Sequence, residues 1–428
     1  MNYQDPHGPS IQITVSHIPA KPGLRRGVLM TNPGGPGVPG LDLPTLMPAL
    51  FPADVLDHYD VLGIDPRGVG HSTPIDCGSF HQTGLDLLLP YPAADGSIDR
   101  NVHFARQFAT GCSVLSGEFL PHVTTANTAR DMETIRVALG EPKISFFGGS
   151  YGTYLGAVYA TLYPERTDRF VFDSAIDLRG GWRGFYRSWS SSNALRMPDF
   201  SQWVAARHAT YQLGASPRAV GQTYAALTAR LDRTPVTLPD GTLVNGNVLR
   251  EHTRLQLTND ANFPGLAAAW MYFQTGHGTP PVLPHFPDNY IAALNAVSCN
   301  DTDWPRDPAV YARQVAADRT KYPITAGMPA NIRPCAFWAA RPVEPPVQIS
   351  NRGPRNVLIL QNARDPSTSW ANGHGLRQSL GDRAVLVTVD AGGHIALGRG
   401  TCADTTAAAF LTGGELPAQD IRCHGPTS

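Results

Sequence analysis

Ser150, Asp365 and His394 stand in the order and settings that could make a serine nucleophilic. A serine hydroxyl attacks a carbonyl poorly until a base takes its proton. A histidine does this well only when a carboxylate fixes its tautomer and orientation. Ser150 lies in Gly148-Gly149-Ser150-Tyr151-Gly152, a G-x-S-x-G motif. The apolar run Ile144-Ser145-Phe146-Phe147 precedes it, and Tyr154, Leu155, Val158, Tyr159 and Leu162 follow at helical spacing. Strand, tight turn and helix form the context in which this motif presents an exposed serine oxygen. The Tyr151 N–H would then point at an oxyanion formed by attack on a carbonyl. A second donor is expected from Gly34 or Gly35, in the run Asn32-Pro33-Gly34-Gly35-Pro36-Gly37 after an early strand.

Asp365 follows the apolar stretch 356–361, and His394 follows the stretch 384–389 through Gly392-Gly393. Each sits on a loop just beyond a buried strand, where open α/β sheets keep their sites. Asp382 and Asp390 are rival acids. Asp365 is preferred because it follows the earlier strand, as the acid does in the order Ser, Asp, His. Asp65 and His71, in Asp65-Pro66-Arg67-Gly68-Val69-Gly70-His71-Ser72, fall outside that order. They read as structural, with Asp65 and Arg67 able to pair. An aspartate nucleophile of the epoxide-hydrolase kind is excluded, because position 150 is serine.

The elements that must position these residues alternate. Residues 10–18 alternate polar and apolar and predict an antiparallel edge strand. Residues 27–31, 59–64, 144–147, 169–173, 356–361 and 384–389 predict buried strands, the last at a site-bearing end. Thr124 or Thr125 can cap a helix running to Leu139, which Gly140 ends. Residues 405–411 predict a closing helix. Strands alternating with helices imply a mostly parallel central sheet. From about Leu178 the alternation stops, and amphipathic helical stretches take over to about Arg341. The expected organisation is a core of residues 1–177 and 346–428 with an inserted, mostly helical cap of residues 178–345.

The chain has 428 residues and 42% apolar residues, enough for a sizeable core with an inserted unit. Its net charge of -1 points to no nucleic-acid or membrane-surface partner. The six cysteines, Cys77, Cys112, Cys299, Cys335, Cys402 and Cys423, contain no C-x-x-C. An even, well-spread set suggests three disulfides and an oxidising compartment. Spacing does not fix the connectivity; pairing of sequence neighbours is the favoured arrangement. The first residues carry no basic region followed by an apolar one, so no export signal is present in this sequence. The cysteines point to a secreted protein whose signal is missing here, and a cytoplasmic location is the alternative.

With these residues in view, the sequence resembles the α/β-hydrolase exopeptidases of the prolyl aminopeptidase type. It is more closely similar to the secreted tripeptidyl aminopeptidases of Streptomyces and related actinobacteria. The resemblance is carried by NPGGPG at 32–37, DPRGVGHS at 65–72, GGSYGTYLGAVYA at 148–160, ARD at 363–365 and GGH at 392–394, with a TAP-like segment from about Pro334. It spans nearly the whole chain and is weakest in the cap. It implies an α/β-hydrolase fold and a serine exopeptidase that removes short peptides from a free N-terminus. It also implies secretion and disulfides. Acidic cap residues in such enzymes hold the substrate ammonium, and Asp301 and Asp303 are the candidates here, against a solvated loop. The chemistry needs no metal or cofactor. The expected partner is a peptide or small acyl substrate, and a monomer is expected. The alternative is an esterase, thioesterase or tailoring hydrolase that uses the same triad on a small acyl substrate; fold does not choose between them.

Overall fold

A computed structural model describes residues 1–425. Five strands come first: β1 (Val15–Ile18), β2 (Gly27–Asn32), β3 (Tyr59–Ile64), β4 (Ile144–Gly149) and β5 (Thr167–Asp173). A helical stretch follows, broken by a two-stranded ribbon of β6 (Val236–Thr237) and β7 (Leu243–Val244). The chain then returns through β8 (Val357–Arg364), β9 (Ala384–Gly392) and β10 (Ile421–His424). Eight strands form one sheet in the order β1-β3-β2-β4-β5-β8-β9-β10. Among the described residues of this sheet, only β1 is antiparallel to its neighbour; the other pairs are parallel.

Alternation along the buried strands sends successive side chains to opposite faces of the sheet. Met30, Leu62, Phe146, Phe172 and Ile359 build the core on one face. Leu29, Val61, Phe147, Val171 and Leu358 build the core on the other. Each such fully buried side chain stabilises by about 1.5–3 kcal/mol. Chain direction across the sheet reverses between β2 and β4, which pair directly with Asn32 opposite Gly148. Ligands of open α/β sheets bind outside the carboxyl ends of strands at such a reversal. The loops after β2 and β4 are the Asn32–Gly37 run and the Ser150 turn.

The helix Thr125–Ala138 starts as expected, with the Thr124 hydroxyl accepting the Asn127 N–H at 3.1 Å. The loop after β3 is held differently from the expectation. Arg67 does not pair with Asp65; it makes a two-point ion pair with Asp131, at 2.7 and 2.6 Å. Asp65 instead accepts the N–H groups of Gly40 and His71, at 2.7 and 2.8 Å. A short loop leaves the Arg67 guanidinium closer to a facing helix than to its own neighbour.

Between β5 and β8 lie six longer helices, Gly181–Ala205, Pro217–Arg233, Gly246–Gln256, Phe263–Thr275, Asp288–Asp301 and Pro308–Lys321. Phe200, Leu231, Leu266 and Trp270 centre a separate apolar cluster. Trp182, Tyr186, Ala293 and Trp338 join the main core instead. Disulfides link Cys77 to Cys112, Cys299 to Cys335 and Cys402 to Cys423, each joining sequence neighbours among the cysteines. No helix among the described residues is long and apolar enough to cross a membrane.

Candidate active site

Ser150 occupies the turn between β4 and the helix Tyr151–Leu162, with φ 54° and ψ -121°. A positive φ at a non-glycine residue costs about 1–3 kcal/mol and persists only where the surroundings impose it. Here the surroundings are glycines. A Cβ on Gly152 would approach the Asn32 carbonyl oxygen to 2.6 Å, and one on Gly156 would meet the rings of Phe146 and Phe172. These close approaches let the helix run back over the sheet directly after the serine. The Ser150 N–H donates to the Asp173 carbonyl at 2.9 Å, and its own carbonyl accepts from the Thr153 hydroxyl at 2.7 Å. The Ser150 hydroxyl does not cap its own helix. It remains a half-buried group at the end of β4.

His394 and Asp365 meet across the neighbouring loops. The His394 Nδ1 lies 2.9 Å from Asp365 Oδ2, with Asp365 fully buried and His394 19% exposed. Asp365 is tightly held: Oδ1 accepts the N–H groups of Ser367 and Thr368 at 2.7 and 2.8 Å, and Oδ2 accepts the Thr368 hydroxyl at 2.9 Å. Burial alone would raise the Asp365 pKa, but His394 and these donors bring it below the ordinary carboxylate value. Burial likewise disfavours a charged His394. The Asp365 carboxylate outweighs it, so the imidazole sits above its ordinary value. Of the rival acids, Asp390 is half exposed and pairs with Arg364 at 2.9 Å, and it is Asp365 that reaches the imidazole.

The helical region supports both loops. Its Thr258 carbonyl accepts the His394 N–H at 2.7 Å. Its Trp189 indole donates to the Ser367 carbonyl at 2.8 Å, while Ser192 and Asn193 donate to the Pro366 carbonyl at 3.0 and 2.9 Å. The Asn32–Gly37 run presses against it as well, since a Cβ on Gly37 would stand 2.9 Å from the Ala293 Cβ.

A family profile described as TAP-like protein matches residues 322–423. The chain is 32% identical to a tripeptidyl aminopeptidase of Streptomyces lividans, over 99% of this chain and 82% of the relative. It is 27% identical to the serine protease Hip1 of Mycobacterium tuberculosis, over 99% and 85% of the two chains. It is 30% identical to a carboxylesterase B of the same organism, over 99% and 84%. The chain belongs to the tripeptidyl aminopeptidase family. It is therefore a serine hydrolase of the α/β-hydrolase fold, and its three disulfides suit an extracellular member of that family.

In this family member the expected oxyanion donors separate. The Tyr151 N–H opens a helix, where the first amides lack intrahelical partners. Gly34 packs tightly on the serine turn, where an added Cβ would lie 3.0 Å from the Tyr151 nitrogen. Its N–H, however, donates to the Asn32 side chain at 3.0 Å. The expectation for Gly34 is corrected on that ground: its amide is engaged within its own loop, which leaves Gly35, half-buried beside it.

The acidic cap candidates are corrected too. Asp301 is neither a solvated loop residue nor an open anion site. It ends the helix Asp288–Asp301, 8% exposed, and accepts from the Thr125 N–H, the Thr125 hydroxyl and the Trp182 indole at 2.8, 2.6 and 3.1 Å. With three donors on a buried carboxylate, it ties the inserted helices to the core. Asp303 is 68% exposed and lies 3.8 Å from Arg341 at the surface, the solvated reading.

Thr368, Thr258 and the pair Asp173–Ser174 escaped the sequence reading. Thr368 carried a usable signal, since an aspartate followed by Pro, Ser and Thr favours a turn closed on its own carboxylate. Thr258 acts through its backbone carbonyl, which leaves no mark on residue type.

Proposed function

We propose that the chain is a secreted serine exopeptidase that releases short peptides from a free N-terminus through an acyl-enzyme on Ser150. The Ser150 oxygen forms a bond to the scissile carbonyl carbon, and its proton passes to His394. The Tyr151 and Gly35 N–H groups hold the oxyanion that results. His394 then gives the proton to the leaving amine as the C–N bond breaks. Water, deprotonated by His394 in turn, opens the ester and frees the peptide. Asp365 holds the imidazole in the tautomer this needs and stabilises its charged form. The observation that carries the reading is the 2.9 Å contact between His394 and a fully buried, fully hydrogen-bonded Asp365. The free N-terminus and the short released product rest on the Streptomyces relative. Secretion rests on that relative and on the disulfides.

The carboxylesterase relative favours a second reading, ester hydrolysis by the same three residues. One substrate series separates the two. Mono-, di- and tripeptidyl anilides, with free and acetylated N-termini, are compared with a short-chain nitrophenyl ester, using wild type and Ser150→Ala. Cleavage of free-amine peptides that is lost on acetylation and in Ser150→Ala is the expected result. Ester cleavage with every peptide untouched would overturn the peptidase reading in favour of the esterase.

A further inference from the structure

The serine turn and the histidine loop arrive from different strands, and a single residue is bonded to both. Asp173 ends β5. Its backbone carbonyl accepts the Ser150 N–H at 2.9 Å. Its carboxylate faces the segment after His394. There Oδ1 accepts the Ala396 N–H at 2.8 Å, and Oδ2 accepts the Leu397 N–H at 2.9 Å. The next residue completes the grip: the Ser174 hydroxyl accepts the Ile395 N–H at 2.9 Å and donates to Asp173 Oδ1 at 3.2 Å. Three consecutive amides after the histidine thus end on two side chains, both fully buried.

The segment they hold would not stay in place by itself. Ile395 has φ 70° and Ser174 has φ 61°. A β-branched residue in the left-handed region is a true outlier, because its side chain crowds the backbone there. Such a conformation lasts only where its surroundings over-determine it. Removing the acceptors would leave buried N–H groups unpaired and let the segment relax, carrying His394 with it.

We propose that Asp173, assisted by Ser174, is a positioning residue for His394. It locks the histidine loop against the Ser150 turn and sets a second negative charge beside the imidazolium that forms during attack. The proposal rests on the reading of Ser150 as nucleophile and His394 as base. The charged groups around His394 come from every side. Asp365 comes from β8, Asp173 from β5 and Arg399 from its own loop. The helical region adds Arg196 and Asp199 against Gly392. Asp365 and Asp173 favour the protonated ring, and Arg399 opposes them. Burial raises the Asp173 carboxyl to about 6, and the Ala396 and Leu397 amides limit the rise.

The test follows labelling of Ser150 by a fluorophosphonate across pH in wild type, Asp173→Asn and Ser174→Ala. In this reaction the serine oxygen bonds to phosphorus, fluoride leaves, and the hydroxyl proton passes to His394, so the rate reports the base without assuming a substrate. Asp173→Asn is expected to label about 10- to 100-fold more slowly, the scale of a displaced catalytic group. Its acid midpoint is expected to move to lower pH, because removing a neighbouring anion lowers the imidazole pKa. A slower rate at an unmoved midpoint reduces Asp173 to a fold residue and overturns the proposal, as does an unchanged rate. Should Asp173→Asn fail to fold, Ser174→Ala decides. A loss of about three- to tenfold with an unchanged melting temperature supports the grip on Ile395, and an unchanged rate overturns it. Wild type unlabelled at Ser150 would instead sink the nucleophile reading itself.

Discussion

The sheet and the helices inserted between β5 and β8 contribute to the site in different ways. The sheet supplies the groups assigned to bond-making, Ser150, His394 and Asp365, each on a loop at a strand's carboxyl end. The helices supply contacts to the backs of those loops: the Thr258 carbonyl on His394, and Trp189, Ser192 and Asn193 on Pro366 and Ser367. Chemistry is thus fixed by strand topology, while the fine placement of its loops is shared with a region whose sequence follows no strand rule.

The sharpest way to test that division is to compare one residue from each side. Asp365→Asn removes the carboxylate that orients His394, and kcat/KM for a Ser150-dependent substrate is expected to fall about 10⁴-fold. The acid limb of the pH profile is expected to move down, since His394 needs to be neutral to act and loses the partner that raises its pKa. Asn193→Ala leaves all reacting groups in place but removes one of the two donors to the Pro366 carbonyl, the other being Ser192. A loss of about five- to tenfold in kcat, with KM nearly unchanged, is expected from one buried hydrogen bond. A loss as large as that of Asp365→Asn would break the comparison and make the helices part of the chemistry. Smallest in activity is the paired change Cys402→Ser with Cys423→Ser. Urea unfolding is expected to show about 3 kcal/mol less stability, with room-temperature kcat/KM unaltered.

The same division explains what could be read from residues alone. Buried strands such as Ile144–Gly149 and Ala384–Gly392 announce themselves as apolar runs ending in glycine, and the motif residues then fall at their carboxyl ends. Ser150, Asp365 and His394 are singled out that way, and the structure brings the last two into contact. The edge strand β10 was missed, because Ile421-Arg422-Cys423-His424 is too short and too polar to show an apolar run. The helical region gave less, because amphipathic spacing says which face is buried and nothing about what it is buried against. Asp301 and Asp303 show the cost. They stand two positions apart in one acidic stretch, yet one closes a buried contact with Thr125 and Trp182 while the other lies in water. Gly34 and Gly35 were equivalent by type, and only the direction of the Asn32 side chain separates them.

The disulfide between Cys402 and Cys423 has a consequence for how the molecule is made. It fastens β10, the last strand, beside β9 and so covers the flank of the sheet next to the histidine strand. β10 contributes only four residues to that pairing, few enough that the covalent tie carries much of its hold. A chain synthesised where thiols stay reduced would leave β9 with a free row of backbone donors and acceptors, a template for a second chain. Oxidation therefore guards against self-association as well as adding stability.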